Sequence, residues 1–154
     1  MELKIFIGKL EAFTRKFEDL MLRQVNEKFG KDLSADIAMR VREGGYNADG
    51  ERFSPYSKFT LAKKAAKGKS ILYKNFEDTG DMWRGFDSLG TQKTTKGFTV
   101  RLGGKNNYSA TLITKNSVRE GQSIIKPSEG EIKFAEEALQ KRFQKELHNL
   151  FTNG

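Results

Sequence analysis

The spacing of the apolar residues changes twice along this chain, and this change constrains the fold more than any other feature of the sequence. Over residues 3–29 apolar residues recur every three or four positions, which is the spacing of one helix face. Phe98, Val100 and Leu102 instead alternate with polar residues, as in a half-buried strand. Over residues 128–151 the helical spacing returns. Helices at both ends with strands between them, and no strand–helix–strand repeat, predict an α+β fold.

The N-terminal helices are expected over about residues 2–67. A long amphipathic helix over residues 3–29 should end at Gly30, because glycine enters the left-handed region without steric cost. A second helix is predicted over residues 32–42, with Leu33, Ile37 and Val41 on one side and the pair Gly44–Gly45 at its end. Each of these helices therefore offers one apolar face to a core.

A third helix is predicted to begin at Pro55, after Ser54, or one turn later at Ser57. A serine hydroxyl accepts hydrogen bonds from the free amides of a first turn, and proline tolerates the first helical position. The body of this helix is rich in lysine and alanine, so we expect it to be exposed and to close at Gly68.

The segment that follows has no regular spacing, and its predicted anchors into the core are Ile71, Leu72 and Phe76. Residues 69–78 are predicted to be irregular. Asp78 or Thr79 should then cap a short turn that carries Met82, Trp83 and Phe86.

The β part is predicted as an antiparallel meander over about residues 86–114, with strands at 86–92, 97–103 and 108–113. Residues 115–126 are polar and contain glycine, and they are either a mobile loop or a flexible arm that orders on contact with a neighbour. Ser128 and Glu131 form a capping box at the start of a closing helix over about residues 128–151. The buried stripe of that helix is predicted at Ile132, Ala135, Leu139, Phe143, Leu147 and Leu150. The expected architecture has long N-terminal and C-terminal helices packed on a small antiparallel sheet.

Length and composition indicate one domain over residues 1–154, because a chain of about 150 residues can bury one core. There is no cysteine and a single histidine, His148, so thiolate metal sites and most acid–base chemistry are excluded. We predict no catalytic residue, no metal site and no cofactor. The sequence also lacks an apolar run long enough for a signal peptide or a membrane span, which predicts a cytosol-like compartment.

The chain is basic, with a formal net charge of +8. Lys63, Lys64, Lys67 and Lys69 would form a positive ridge on a helix, and such a ridge could contact DNA phosphates or an acidic partner without sequence preference. The same cluster is also what a solvated helix face looks like, and a basic stripe alone supplies only nonspecific affinity. We favour the solvated face.

One ordered set of residues resembles the signature of a known family. The set contains a block from an Asp–Gly pair to a threonine, a hydrophobic pair, and a Thr–Gly turn. It comprises Asp49, Gly50, Phe53, Pro55, Ser57, Thr60, Ile71, Leu72, Thr79, Gly80 and Met82. Their order is similar to that in the tail-completion or virion-morphogenesis proteins of tailed phages, the Mu-like and lambdoid tail components.

The resemblance implies a structural protein of the virion, present in the host cytoplasm during assembly. Members of this family sit at the neck or upper tail as a ring of copies between the head connector and the tail. Expected partners are copies of the same chain, other neck and tail proteins such as the connector, tail tube or terminator, and DNA passing through the channel. No enzymatic activity and no membrane association are implied. The alternative function is a basic module that binds DNA nonspecifically.

A ring requires two different, complementary surfaces on each subunit. Candidate surfaces are the sheet edge, the outer side of the first helix and the arm, which contains Arg119, Ile124 and Ile125. Trp83 and Tyr108 are candidate aromatic anchors, because aromatic residues dominate contact energy. Core packing beside the sheet is an equally good interpretation of Trp83.

Overall fold

The computed structural model describes the backbone of residues 3–152 and the side chains of residues 14–25 and 28–152. Within those residues it contains six α-helices and one two-stranded antiparallel sheet, so the predicted α+β class is confirmed. The elements are α1 (Leu3–Gln24), α2 (Gly30–Met39), α3 (Lys58–Ala66), α4 (Asp81–Arg84), β1 (Phe86–Thr94), β2 (Gly97–Gly104), α5 (Asn107–Glu120) and α6 (Glu129–Thr152).

Helices α1 and α2 are joined without a break by a π-helical turn over Val25–Phe29. Gly30 has φ −64°, an ordinary right-handed helical value, so the prediction that this glycine ends the helix is wrong. The prediction of one long N-terminal helix packed on the sheet is not confirmed either, because α2 makes the main helical contact with strand β1. The apolar positions predicted at Leu3, Ile7, Leu10 and Phe13 lie outside the described side chains.

Helix α2 contributes the centre of the core, as its spacing predicted. Leu33, Ile37 and Val41 are all buried, and Ile37 and Val41 have no exposed surface. A second π-helical turn, Arg40–Gly44, extends α2. It ends at Gly45, whose φ of +65° is the left-handed conformation expected there. The core is completed from the later part of the chain by Phe53, Met82, Trp83, Phe86, Ile113, Ile124 and Ala135.

Strands β1 and β2 form a hairpin that runs from the pair Phe86–Gly104 to the pair Thr94–Gly97. Both predicted strands are confirmed, and β1 continues two residues further than expected. The register shifts between Ser88 and Gly90, which is a β-bulge.

The third strand of the predicted meander is wrong. Residues 108–113 belong to helix α5, which Asn106 caps by accepting a hydrogen bond from the Ser109 amide at 2.8 Å. In a helix Ser109 and Ile113 fall on the same face, and both are buried. This local cap and the burial of one helical face outweigh the short alternation of apolar and polar residues.

The predicted flexible arm over residues 115–126 is also replaced by ordered structure. Residues 115–120 form the end of α5, and Gly121 ends that helix with φ +67°. Ile124 is only 1% exposed, and its amide donates a hydrogen bond to Ser117 Oγ at 3.2 Å. The segment is therefore anchored to the core.

Helix α6 begins with the predicted capping box. The Ser128 amide donates to Glu131 Oε2 at 2.8 Å, and the Glu131 amide donates to Ser128 Oγ at 3.2 Å. Of the predicted stripe, Ala135 is buried and the larger residues are half-buried. Two ion pairs join α6 to the N-terminal half, Glu131 to Arg40 and Arg142 to Asp32, each with a nitrogen–oxygen distance of 2.7 Å.

Gly30 and Gly130 form a matched pair of helical glycines for testing the packing of α2 on the sheet. A Cβ on Gly30 would lie 2.4 Å from Ser88 Oγ and 3.0 Å from Val100 Cγ1, whereas a Cβ on Gly130 would meet no atom within 4 Å. We expect Gly30→Ala to lower the free energy of unfolding by about 1–3 kcal/mol, because overpacking forces the sheet away. Gly130→Ala should raise it by up to about 1 kcal/mol through helix propensity. Urea unfolding measures both, and equal effects would contradict this account of Gly30.

Candidate functional site

Asn75 organises the segment that carries the family resemblance. Its side chain is buried, and Asn75 Oδ1 accepts hydrogen bonds from Tyr56 Oη at 3.2 Å and Lys64 Nζ at 3.3 Å. The Asn75 carbonyl accepts a bond from Trp83 Nε1 at 2.9 Å. Residues from the 54–57 loop, helix α3 and helix α4 therefore meet at one residue, Asn75, through its side-chain oxygen and its backbone carbonyl. We call Tyr56, Lys64, Asn75 and Trp83 the Asn75 hub.

Lys64 is the charged member of the hub. Its side chain is buried, and Nζ also donates to the Glu77 carbonyl. The amine lies 4.8 Å from the centroid of the Tyr56 ring, within the range of a cation–π contact. Burial, followed by the nearby positive charge of Lys69, lowers the pKa of Lys64 below its ordinary value. Burial also raises the pKa of Tyr56.

The irregular segment after α3 is held by side chains. Phe76 has φ +54°, a left-handed value that is uncommon for a residue other than glycine. The Phe76 amide donates to Tyr56 Oη at 2.9 Å, and the Phe76 ring packs edge-on against Phe53 with centroids 5.0 Å apart. Hydrogen bonding and aromatic packing together offset the backbone strain.

A buried ion pair fixes the other end of this segment to helix α5. Lys74 Nζ lies 2.5 Å from Glu120 Oε1, and both side chains are largely buried. Ser54 Oγ donates to Glu120 Oε2 at 3.1 Å. The loop before α3, the irregular segment and the end of α5 are thereby tied together.

An open groove of about 310 Å³ lies beside the hub, between α3, α4 and α5. Phe59 and Tyr108 stand on its walls and are 79% and 58% exposed, while Met82 and Leu112 form apolar parts of its lining. We call this feature the Phe59 groove. Its size is in the range of pockets that receive a small ligand or a side chain.

The lining of the groove carries both signs of charge, with Lys63 and Lys64 beside Glu77, Asp78 and Asp81. Lys67 lies 3.1 Å from Asp78, and this hydrogen bond is the largest cause lowering the pKa of Asp78. Asp81 is paired with Arg84. Lys63 is exposed on the same wall, and among the described side chains it forms no ion pair.

The residues of the family resemblance fall into two groups. Thr60, Thr79, Gly80 and Met82 line the Phe59 groove, and Ser57 caps α3 by accepting a bond from the Thr60 amide at 3.3 Å. The predicted start of α3 at Ser57 is thus confirmed.

The second group lies away from the groove. Gly50, with φ +83°, and Asp49 form a turn in which Asn47 Oδ1 accepts the Asp49 amide at 3.0 Å. Phe53 is in the core and Pro55 is exposed. Ile71 and Leu72 are 46% and 81% exposed, so the prediction that they anchor the segment in the core is wrong. The structure does not bring these residues to the groove.

The candidate interface residues divide in the same way. Trp83 and Ile124 are buried, so they are not free surface anchors, and the interpretation of Trp83 as core packing is the correct one. Ile125 is half-buried. Tyr108 and Arg119 are exposed, and Tyr108 reaches the groove.

The predicted ridge of four lysines is not continuous. Lys63 and Lys67 are exposed and Lys69 is half-buried, but Lys64 points into the hub and is only 5% exposed. The expectation that the whole body of α3 is exposed is therefore wrong at Lys64.

Sequence reasoning missed Asn75, Tyr56 and Phe59. Phe59 carries a usable signal, since it is a large apolar residue in an otherwise polar helix. Asn75 carries none, because its partners are distant in the chain.

In the part of the chain that the structure describes, no group of three or more His, Cys, Asp or Glu side chains could hold a metal ion. No helix there has the length and apolar character needed to cross a membrane.

Comparison of the chain with protein-family models, with curated proteins and with solved structures found no match in any of the three.

Lys63 and its neighbour Lys64 provide a direct test of the hub. Lys64→Met keeps the apolar stem but removes the donor to the Glu77 carbonyl, and an unpaired buried carbonyl costs about 1–3 kcal/mol of unfolding free energy. Lys63→Met, on the exposed side of the same helix turn, should change it by less than about 0.5 kcal/mol. Chemical denaturation of both variants checks this. A loss in Lys63→Met as large as that in Lys64→Met would refute the hub.

Proposed function

We propose that this protein is a structural virion protein of a tailed bacteriophage, a tail-completion or head–tail joining subunit. Copies assemble into a ring at the neck, between the portal or connector and the tail. The observation that supports this proposal most is the arrangement of the resembling segment. Four of its residues, Thr60, Thr79, Gly80 and Met82, line an open groove that has two exposed aromatic walls and lies beside the Asn75 hub.

A protein that acts by contact needs apolar surface outside its core. Met39, Phe59, Leu72, Tyr108 and Phe134 are each more than half exposed. Large apolar side chains that are grouped on the surface mark interaction sites more often than accidents of composition. Their number on a basic chain of this size favours a subunit that buries surface on assembly, and none of this requires bond-making chemistry.

The proposed partners are other copies of the chain, neighbouring neck and tail proteins, and DNA in the channel. The proposed location is the virion, with the host cytoplasm as the place of assembly. We further propose that the N-terminal and C-terminal helices together form one rigid support for the β1–β2 hairpin. Glu18 of α1 lies 3.2 Å from Lys93 of β1, and Arg142 of α6 is paired with Asp32 of α2, which supports this arrangement.

Deleting the coding sequence from the parent phage tests the function directly. We expect filled heads and separate tails in electron micrographs, and a loss of infectious particles by several orders of magnitude, because joining is all-or-none. Supplying the intact chain from a plasmid should restore joined particles. Normal joined particles from the deletion phage, with no copy of the chain in purified virions, would refute the proposal.

The alternative function is nonspecific DNA binding, and the exposed Lys63 and Lys67 favour it. If they contact phosphates, replacing both with glutamate should weaken DNA binding at low salt and reduce the salt slope by about one for each lost contact. Lys96→Glu, at the exposed hairpin turn, is the matched control. Electrophoretic mobility shifts over a salt series measure the effect. An intact chain that does not shift DNA at low salt would end this alternative.

A further inference from the structure

The outer side of helix α3 is a convex, exposed surface. Lys64 points inward to the Asn75 hub, and the residues on the sides of the helix that turn away from Lys64 are all exposed. We call this exposed set the α3 ridge, and it comprises Lys58, Phe59, Ala62, Lys63 and Ala66. Alanine side chains are short, so the Phe59 ring, which is 79% exposed, projects beyond them.

The charge of the α3 ridge is positive. Helix α3 contains no Asp or Glu. Lys58 and Lys63 are exposed, and among the described side chains neither forms an ion pair. Asp78, whose charge interacts with Lys63, is already paired with Lys67 at 3.1 Å. The ridge therefore combines unpaired cations with one projecting aromatic ring.

A depression with the opposite charge lies where helices α2 and α6 meet. Phe134 of α6 is 65% exposed and Met39 of α2 is 54% exposed, and with Tyr46 they line an open depression of about 520 Å³. Asp36 and Glu43 line the same depression. We call these five residues the Phe134 patch.

The acidic charge of the patch is not neutralised from within. Arg40, the cation in its lining, is already engaged, since its guanidinium donates to Glu131 Oε1 at 2.7 Å and to the Tyr46 carbonyl at 2.6 Å. Among the described side chains, no cation lies within ion-pair distance of Asp36 or Glu43. Burial, and then the neighbouring carboxylates, raise the pKa of Asp36. A cation from outside would stabilise both carboxylates.

The α3 ridge and the Phe134 patch complement each other in shape and in charge. The ridge is a convex helix with cations beside a projecting ring, and the patch is a depression with carboxylates beside apolar side chains. They share no residue, so one subunit can present both surfaces at once. Two different surfaces that fit each other form a heterologous contact, which repeats from subunit to subunit and closes when the rotation allows it.

We propose that the α3 ridge of one copy docks into the Phe134 patch of the next copy. The occupant of the patch is thus a second copy of this chain. Phe59 packs against Met39 and Phe134 as the anchor of the contact, because a buried aromatic side chain contributes much of the energy of an interface. The lysines of the ridge face the carboxylates of the patch and fix its orientation. This inference rests on the proposed function, because it identifies the two surfaces that a ring of copies requires.

Mixing two variants tests whether the two surfaces belong to one contact. Phe59→Ala damages the ridge and Phe134→Ala damages the patch, so each variant alone should associate about tenfold or more weakly than the parent chain. An equimolar mixture regains one intact contact and should form 1:1 heterodimers that do not grow further. Sedimentation velocity measures these species. Val118→Ala is the control, since Val118 is 74% exposed on α5 outside both surfaces, and it should associate like the parent chain.

Exchanging charges tests the orientation. A chain with Lys58→Glu and Lys63→Glu should associate about tenfold or more weakly at fixed salt, because like charges then face each other. Adding Glu43→Lys should recover part of that loss. Glu136→Lys makes the same change in net charge at an exposed position of α6 outside the patch, and it should recover none. Equal recovery by Glu43→Lys and Glu136→Lys would overturn the proposed pairing.

The remaining outcomes separate this contact from the proposed function. Phe59 and Phe134 are largely exposed, so thermal unfolding should stay as in the parent chain and distinguish a lost contact from a lost fold. Folded variants whose mixture associates no better than either alone would overturn the contact, and rings seen in the particle would then leave the neck function standing. Heterodimers of a chain that is absent from virions would support the contact and refute the neck function. Weakened association in Phe134→Ala but not in Phe59→Ala would also overturn the proposal, because another segment would then occupy the patch.

Discussion

The hydrogen bonds that Asn75 accepts, at its buried side-chain oxygen and at its backbone carbonyl, are the interactions on which the arrangement of this protein depends. Residues 67–80 have no regular secondary structure, so their backbone cannot be held by a helix or a sheet. Asn75 replaces that support with hydrogen bonds to Tyr56, Lys64 and Trp83. The position of α3 relative to α4, and therefore the width of the groove between them, follows from these few contacts rather than from a large apolar interface.

The positions of the charged side chains explain more about this protein than its net charge does. The formal excess of +8 suggests a uniformly basic surface, yet Lys64 and Lys74 direct their charges inward, where they link segments of the chain. The acidic residues Asp36 and Glu43 meanwhile gather beside exposed apolar side chains. The excess of positive charge is therefore not spread evenly over the surface, because part of it is turned inward to hold segments of the chain together.

The side-chain caps and the apolar stripe of α2 were predicted well from the sequence, whereas the helix stop at Gly30 and the contacts between distant residues were not. The Ser128–Glu131 capping box, the Ser57 cap and the stripe of α2 each depend on residues within one or two turns, and all three were found. Residues 108–113 alternate like a strand over too short a stretch to exclude a helix, and the cap at Asn106 decided the outcome. The candidate site was predicted only in part, because the burial of Lys64 depends on Asn75, eleven residues later in the chain.

The two π-helical turns explain how the continuous helical rod from Leu3 to Gly44 makes contacts on two different sides. Each closes its hydrogen bonds over five residues instead of four, so it adds a residue and rotates everything beyond it by about 100°. Helix α1 can therefore approach the tip of the hairpin while α2 faces the core. Insertions and deletions within residues 25–44 would turn the core-facing side of this rod toward water, so evolution can vary the length of this protein far more freely at its loops.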